Sequence, residues 1–383
     1  MNPFKGIRIE FHILQSFPVS CLNRDEVGAP KTAMIGGTTR ARVSSQCWKR
    51  AIRLHLQGPE MGLPHGTRTK LIAPLIEKEC LIQGATQVEA EQCGQKIERI
   101  FIKDSTEKTS KKRTKDSTDE EFEDEIEEEK SDTLLFLSPS EVTSIALALK
   151  GKGFNPNNLI TEKDSKKQAK ELAKIIGKPK FNYEIDGIDI SLFGRMVAQA
   201  TKMNVEAASS FAHALSTHKV NNEIEFFTAL DDCEEKTGSA HMGILEFNSA
   251  TYYRYINLDL GQLFDNLAGK MIPEAVSSFI KALYLANPSA RQTTMRASTL
   301  WDFAEVIIRK GQPLSISFEE AIKSSEGYVE PSKLKLTKAI KRNENLAGSL
   351  YGKINSFTYG EDENFNIDKL IEYVNSTLRG IHE

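Results

Sequence analysis

The sequence predicts an α+β fold, a sheet with helices on one face, on three observations. The segment IRIEFHIL at 7–14 alternates apolar and polar residues in the manner of a half-buried strand. From Ser44 the apolar residues repeat with a helical period. Strand and helix signals then follow one another along the chain, interrupted by insertions rather than sorted into separate runs.

In 7–14, Ile7, Ile9, Phe11 and Ile13 share one face, with Arg8, Glu10 and His12 on the other. The stretch after it, to about 37, carries Pro, Asn and Gly signals and reads as a long functional loop. Ser44 or Ser45 can cap the following helix, whose stripe of Trp48, Ala51, Ile52, His55 and Leu56 faces inward. Helical segments come next at 67–102, 138–150 and 163–176, so that 60–180 forms a helical excursion from the strand-bearing part. Strand alternation returns at 187–196, a helix is expected at 205–217, and 241–260 is a long alternating strand. A helix at 273–286, a polar loop at 287–299, a strand at 299–309, a helix at 317–326 and a mixed tail complete the chain.

Composition narrows the function. The 383 residues are 39% hydrophobic and 27% charged, which suits one large elaborated domain or two ordinary ones. No apolar run approaches the ~20 residues a membrane span needs. The opening MNPFKGIRIE lacks a signal-peptide core, so a cytoplasmic protein with no membrane partner is expected. The five cysteines lie apart with no CxxC spacing, against a zinc knuckle or disulfide scaffold. The net charge of −3 hides an asymmetry: 104–132 holds thirteen acidic and six basic residues, leaving 44 basic against 40 acidic elsewhere. The low-complexity insert, 103–132, is expected to be disordered.

The placement of positive charge points to an anion. Lys31, Arg40, Arg42, Lys49, Arg50 and Arg53 lie between residues 27 and 59 without one carboxylate among them. Gln46, Lys49, Arg50 and Arg53 fall opposite the apolar stripe of the helix, whose amino end, with Ser44, adds free amides. Such a surface holds a chain of phosphates without reading bases. LFGRM adds Gly194, where backbone can approach a ligand, Arg195, which can reach a phosphate, and Met196, which either wedges between bases or packs in the core; the acid-free loop PSARQTTMRAST adds Arg291 and Gln292, or is an ordinary polar loop. No Walker loop, HExxH or dinucleotide glycine turn occurs, and His241 in GSAHMG and the pair Asp231 and Asp232 complete neither a metal site nor an acid–base pair. The reading is a binder with no catalytic residues, metal or cofactor, and not an enzyme.

The run HILQSFPVSCLNRDEVGAPKTAMIGGTTRARVSSQCWKRAIR, followed in order by SLFGRM, AHALSTHKV, EFFTALDD, GSAHMG, EFNSATYYRYINLDL and RQTTMRA, resembles the CasC family of the RAMP superfamily. That family is the repeated backbone subunit of type I-E CRISPR Cascade complexes. The resemblance implies an RNA-recognition-like, ferredoxin-like palm (1–59, 181–217 and 249–383, the last with C-terminal helices), a helical fingers insertion (60–180) and a thumb hairpin (218–248) containing Gly238, His241, Met242 and Gly243. It implies copies polymerised head to tail along one CRISPR RNA, with the target DNA strand, other Cascade subunits and a recruited helicase-nuclease as partners. By the same resemblance Arg24, Lys31, Ser44, Gln46, Lys49, Arg50 and Arg53 track the guide's phosphates and sugars, and Met196 sits beside its kink, supported by Gly194 and Arg195. The insert does not match the family pattern and is expected to be dispensable.

Two other readings stay open. Related backbone subunits of type III complexes cleave RNA with a loop aspartate, which makes Asp25 the candidate for a metal-dependent ribonuclease. A single-strand RNA binder unconnected with CRISPR is the third; it predicts no ordered multimer on a guide-length RNA.

Overall fold

Strand β1 (Ile7–Ser20) is the spine of the larger of two units, and residues 7–14 are buried throughout, Arg8, Glu10 and His12 included. The expected solvated face is thus a covered one. β1 pairs antiparallel with β10 (Phe303–Lys310) on one side and β9 (Ser239–Asp259) on the other. The sheet continues from β10 to β11 (Lys353–Tyr359), and from β9 through β7 (Ala214–Ser216) and β3 (Thr38–Val43) to β2 (Thr32–Ile35). The short β6 (Ser209–Phe211) and the longer β8 (Glu223–Leu230) also pair β9, and every pairing in this sheet is antiparallel. The computed structural model describes residues 1–101, 134–162, 164–176, 187–197, 200–230 and 239–382. The insert 103–132 and Gly238 lie outside them, as do Asp231 and Asp232.

Helices cover both faces of the sheet, not one. On the apolar face, α9 (Ile272–Leu285) sets Phe279 edge-on to Phe11, ring centroids 6.1 Å apart. On the other, α11 (Val329–Ala347) and Phe318 close Leu336, Ile340 and Phe318 over Leu14, Tyr253, Tyr255, Phe303 and Ile307. The polar side of β1 is buried there because its charges are matched. Glu10 takes Arg309 Nε at 2.7 Å, Tyr255 Oη at 2.8 Å and the Leu314 amide at 2.8 Å. Burial alone would raise the Glu10 carboxyl, but the bonds from His12, Arg309 and the Leu314 amide overcome it and hold it at about 2.

Four sequence expectations are corrected. The loop expected to about 37 is partly strand: β1 runs on to Ser20, and β2 and β3 form a hairpin. The helix expected at 205–217 is instead β6 and β7, because the long β9 offers them a ladder that overrides the helical propensity of this alanine-rich run. The helix expected at 317–326 is irregular: Arg40 takes the Phe318 and Glu319 carbonyls, and Phe318 has φ 46°. The strand expected at 187–196 is a short helix, α7 (Ile188–Phe193). Its residues 188–192 are buried consecutively, so their alternation carried no facing information.

The larger unit comprises Met1–Leu63, Ser191–Phe193 and Ala207–Glu383; the second comprises Pro64–Ile190 and Gly194–Glu206. The boundaries differ from the expected 60–180, since residues 194–206 also belong to the second unit. Its core joins α2 (Ile72–Ile82), α3 (Gln87–Phe101), α4 (Pro139–Lys150) and α6 (Ser165–Ile176) through Ile76, Cys80, Cys93, Ile97, Ile145, Leu149 and Leu172. The helix expected at 67–102 breaks between α2 and α3, where Gly84 takes φ 99°. Ser138 and Glu141 form a reciprocal capping box at the start of α4.

Candidate nucleic-acid interface

Helix α1 (Ser45–Leu56) forms where the period predicts, with Ser44 as its cap accepting from the Cys47 amide at 3.3 Å and Asn23 Oδ1 fixing the Ser44 amide at 2.9 Å. Trp48, Ile52 and Leu56 are buried; Ala51 and His55 are half-buried. Gln46 and Arg50 are exposed and Arg53 half-buried on the other side, and the first turn holds no acid. Lys49 is less free than its position suggests: its Nζ lies 5.6 Å from the Phe211 ring centroid, and burial lowers its pKa.

The structure draws three dispersed arginines together. Arg24 from the loop after β1, Arg50 from α1 and Arg291 from the loop after α9 line one cleft of about 920 Å³. Asn23, Asp25, Glu26, Cys47, Asn287 and Ser289 complete its polar wall. Two features stiffen it. Asp25 Oδ1 accepts from the Val27 and Ala29 amides at 3.0 and 2.9 Å, closing the Arg24 loop into a tight turn. Gln292 Nε2 donates to the carbonyls of Pro288 and Ala297, pinning the Arg291 loop, whose Arg291 and Arg296 both hold left-handed backbone at φ 50° and 44°. Strain of this kind, on the order of 1–3 kcal/mol per residue, persists where the surroundings impose it. Burial pushes the Cys47 thiol up to about 11, with Arg50 and Lys31 pulling the other way, so it stays protonated at neutral pH.

Other expected residues fall elsewhere. Arg40 is a correction: it is 1% exposed and spends its guanidinium on Thr38 Oγ1, Ser216 O, Phe318 O and Glu319 O. It clamps the β2–β3 hairpin to distant backbone and does not face a ligand. Beside it, a side chain at Gly36 would run into the Glu319 carbonyl, so the hairpin turn seats flush on that segment. Arg42 is half-buried and reaches Thr32 O and His213 Nδ1. Lys31 is half-buried on the hairpin approach. Gln292 acts on its own loop, as above.

In the second unit Arg195 is likewise corrected. It is 6% exposed, pairs with Glu141 at 2.6 Å and donates to the carbonyls of Met203 and Phe136. Gly194 ends α7, and Met196 is 80% exposed. In the larger unit, β8 and the first half of β9 pair from 223 to 247 as a long arm. Ile224, Phe226, Met242 and Ile244 stand exposed on one face of it; Gly243 is half-buried and packs against the Phe227 ring, and His241 is in β9. The sequence reading missed Asn23 and Asn287, for which no short motif exists. It also missed Tyr253 and Tyr255, aromatic side chains on the sheet that α11 and Phe318 cover.

No helix among the described residues is long and apolar enough to cross a membrane. Among the described residues, no group of three His, Cys, Asp or Glu side chains is placed to hold a metal ion.

Comparison with known proteins supplies the family. No curated protein matches the chain. A chain of a solved "CRISPR RNA-guided surveillance complex, pre-nicking" superposes with a TM-score of 0.74 at 25% identity, covering 98% of this chain and 100% of its own. A chain of a second "CRISPR RNA-guided surveillance complex" gives 0.65 at 22% identity, covering 96% and 99%, a likeness of fold. The model of the family described as CT1975-like protein matches residues 9–371. With an antiparallel α+β fold shared over nearly its whole length with a surveillance-complex chain, this is a Cascade-type CRISPR protein, and it belongs to the CT1975-like protein family.

Proposed function

We propose that the chain is a non-catalytic backbone subunit of a type I-E-like Cascade complex, gripping the sugar-phosphate track of a CRISPR RNA. The observation that carries this is the cleft of Arg24, Arg50 and Arg291, continued by the acid-free outer face of α1. Three guanidiniums on separately braced segments suit phosphate oxygens, and nothing in that set selects one base over another. The sheet supports the same division of labour. An RNA-recognition domain stacks bases on exposed sheet aromatics, whereas Tyr253, Tyr255 and Phe303 here are buried under α11 and Phe318. Bases held only by their backbone remain free to pair with a target DNA strand.

In this reading the larger unit is an RNA-recognition-like palm, the second unit the fingers, and the β8–β9 arm a thumb. Copies polymerise along the guide beside other Cascade subunits, in the cytoplasm, and a helicase-nuclease joins once DNA is paired. Met196 and the arm face Met242 and Ile244 then supply apolar contacts to neighbouring copies or nucleotides. Replacing Arg50 and Arg291 together by alanine should weaken binding of a guide-length RNA and reduce the slope of log K against log salt by about 1.4, the single-strand value for two phosphates. An unchanged slope would remove the cleft from the RNA path. Regularly spaced, magnesium-dependent cuts in complementary RNA that vanish in Asp25→Ala would replace this reading with the ribonuclease one.

A further inference from the structure

Beneath α1, and beside the end of α9, lies a buried cation that the RNA reading does not use. Arg254, on β9, is 2% exposed, yet its guanidinium faces no carboxylate among the described residues. Burial accordingly pulls its pKa down to about 9. Burying a charge without a counter-ion is costly, and an apolar side chain of equal volume would fill the space more favourably. Its contacts therefore need a reason.

Those contacts reach both walls. The guanidinium carbon lies 3.6 Å from the Trp48 ring centroid, stacked beneath α1 two residues before Arg50. Nη1 donates to Gln15 Oε1 and Nη2 to the Leu283 carbonyl at 3.4 Å, near the end of α9. Gln15 passes the connection on. Its Nε2 donates to Thr299 O at 2.7 Å and to Asn287 Oδ1 at 3.2 Å, which are the two ends of the loop bearing Arg291. Asn287 Nδ2 also donates to Thr299 O at 3.2 Å, tying those ends to each other.

We propose that Arg254 is a positioning residue, relayed through Gln15, that sets the Arg291 loop at a fixed distance from α1 so that Arg50 and Arg291 engage the same stretch of RNA backbone. This rests on the reading of the cleft given above. A planar guanidinium suits the task, since it stacks on an indole while its edge donates in two directions. Lysine or methionine could do only part of it.

The test uses the full chain and an oligouridylate of guide length. Arg254→Met should fold, with a Tm within a few degrees of the parent, because removing a buried unpaired charge is often neutral. It should still weaken binding about fivefold and lower the salt slope by about 0.7, one phosphate contact. Gln15→Leu, which severs the relay from the loop side, should do the same. Combined with Arg291→Ala, either variant should add nothing further, the non-additivity of residues that act as a unit. Arg291→Ala that lowers the slope beside an Arg254→Met that does not would overturn the relay and leave the cleft standing. Additive losses would overturn it equally. Arg291→Ala with no effect on the slope would remove the cleft and the relay together. If neither Arg254→Met nor Gln15→Leu folds, Arg254 belongs to the scaffold alone and the proposal fails.

Discussion

At the scale of single residues, context decides what a charge does. Arg40 and Arg50 are ten positions apart in one acid-free run, and the sequence offers no sign that they differ. Arg40 is buried on carbonyls 176 to 279 residues away, while Arg50 is exposed in the cleft. Partners that remote leave no local trace, so the direction of an isolated arginine was illegible where the stripe of Trp48, Ile52 and Leu56 was not. Glu10 makes the same point with a measurable consequence. Its folded pKa of about 2 lies below its ordinary 4.5. Its contribution is therefore complete above about pH 4.5 and is lost as pH falls toward 2. The shift corresponds to about 3 kcal/mol. Urea unfolding between pH 6 and 2.5 should show the parent losing most of that amount while Glu10→Gln, already destabilised at pH 6, loses correspondingly less; parallel curves would show that Glu10 is not held by these bonds.

At the scale of elements, legibility followed periodicity and failed where a long partner intervened. α1 and α9 declared themselves through an apolar stripe. β6 and β7 did not, because their strand character comes from β9. The alternation at 241–260 made nearly all of β9 legible as one long strand, but not the use of its two halves, one inside the sheet and one extending with β8 as an arm. That arm carries Ile224, Phe226, Met242 and Ile244 exposed on one face, an apolar surface that the isolated chain leaves wet. Changing Phe226 to Ser and Ile244 to Thr should leave the Tm within a few degrees but reduce the number of copies that assemble on a guide-length RNA, as read by native mass measurement. Full assembly would exclude the arm from contacts between copies.

At the scale of the whole molecule, the α+β class and the presence of a large helical insertion were legible; the second covered face of the sheet and the cleft were not, since each is built from segments far apart in sequence. The insert 103–132 remains an expectation from composition. Deleting 104–132 removes a net charge of −7. RNA binding should then be unchanged or modestly tighter at low salt, and a loss of binding would show that the acidic run takes part in it. β1 is hydrogen-bonded along both edges, and its side chains alternate between an apolar layer and one furnished for ions. Sliding β1 by a single position would thrust Glu10 among phenylalanines and strand Arg309 without its counter-ion, a misthreading far costlier than any gain in contacts. The buried pair thus acts as a proofreader of strand alignment, admitting one way of assembling the sheet and rejecting its nearest neighbours.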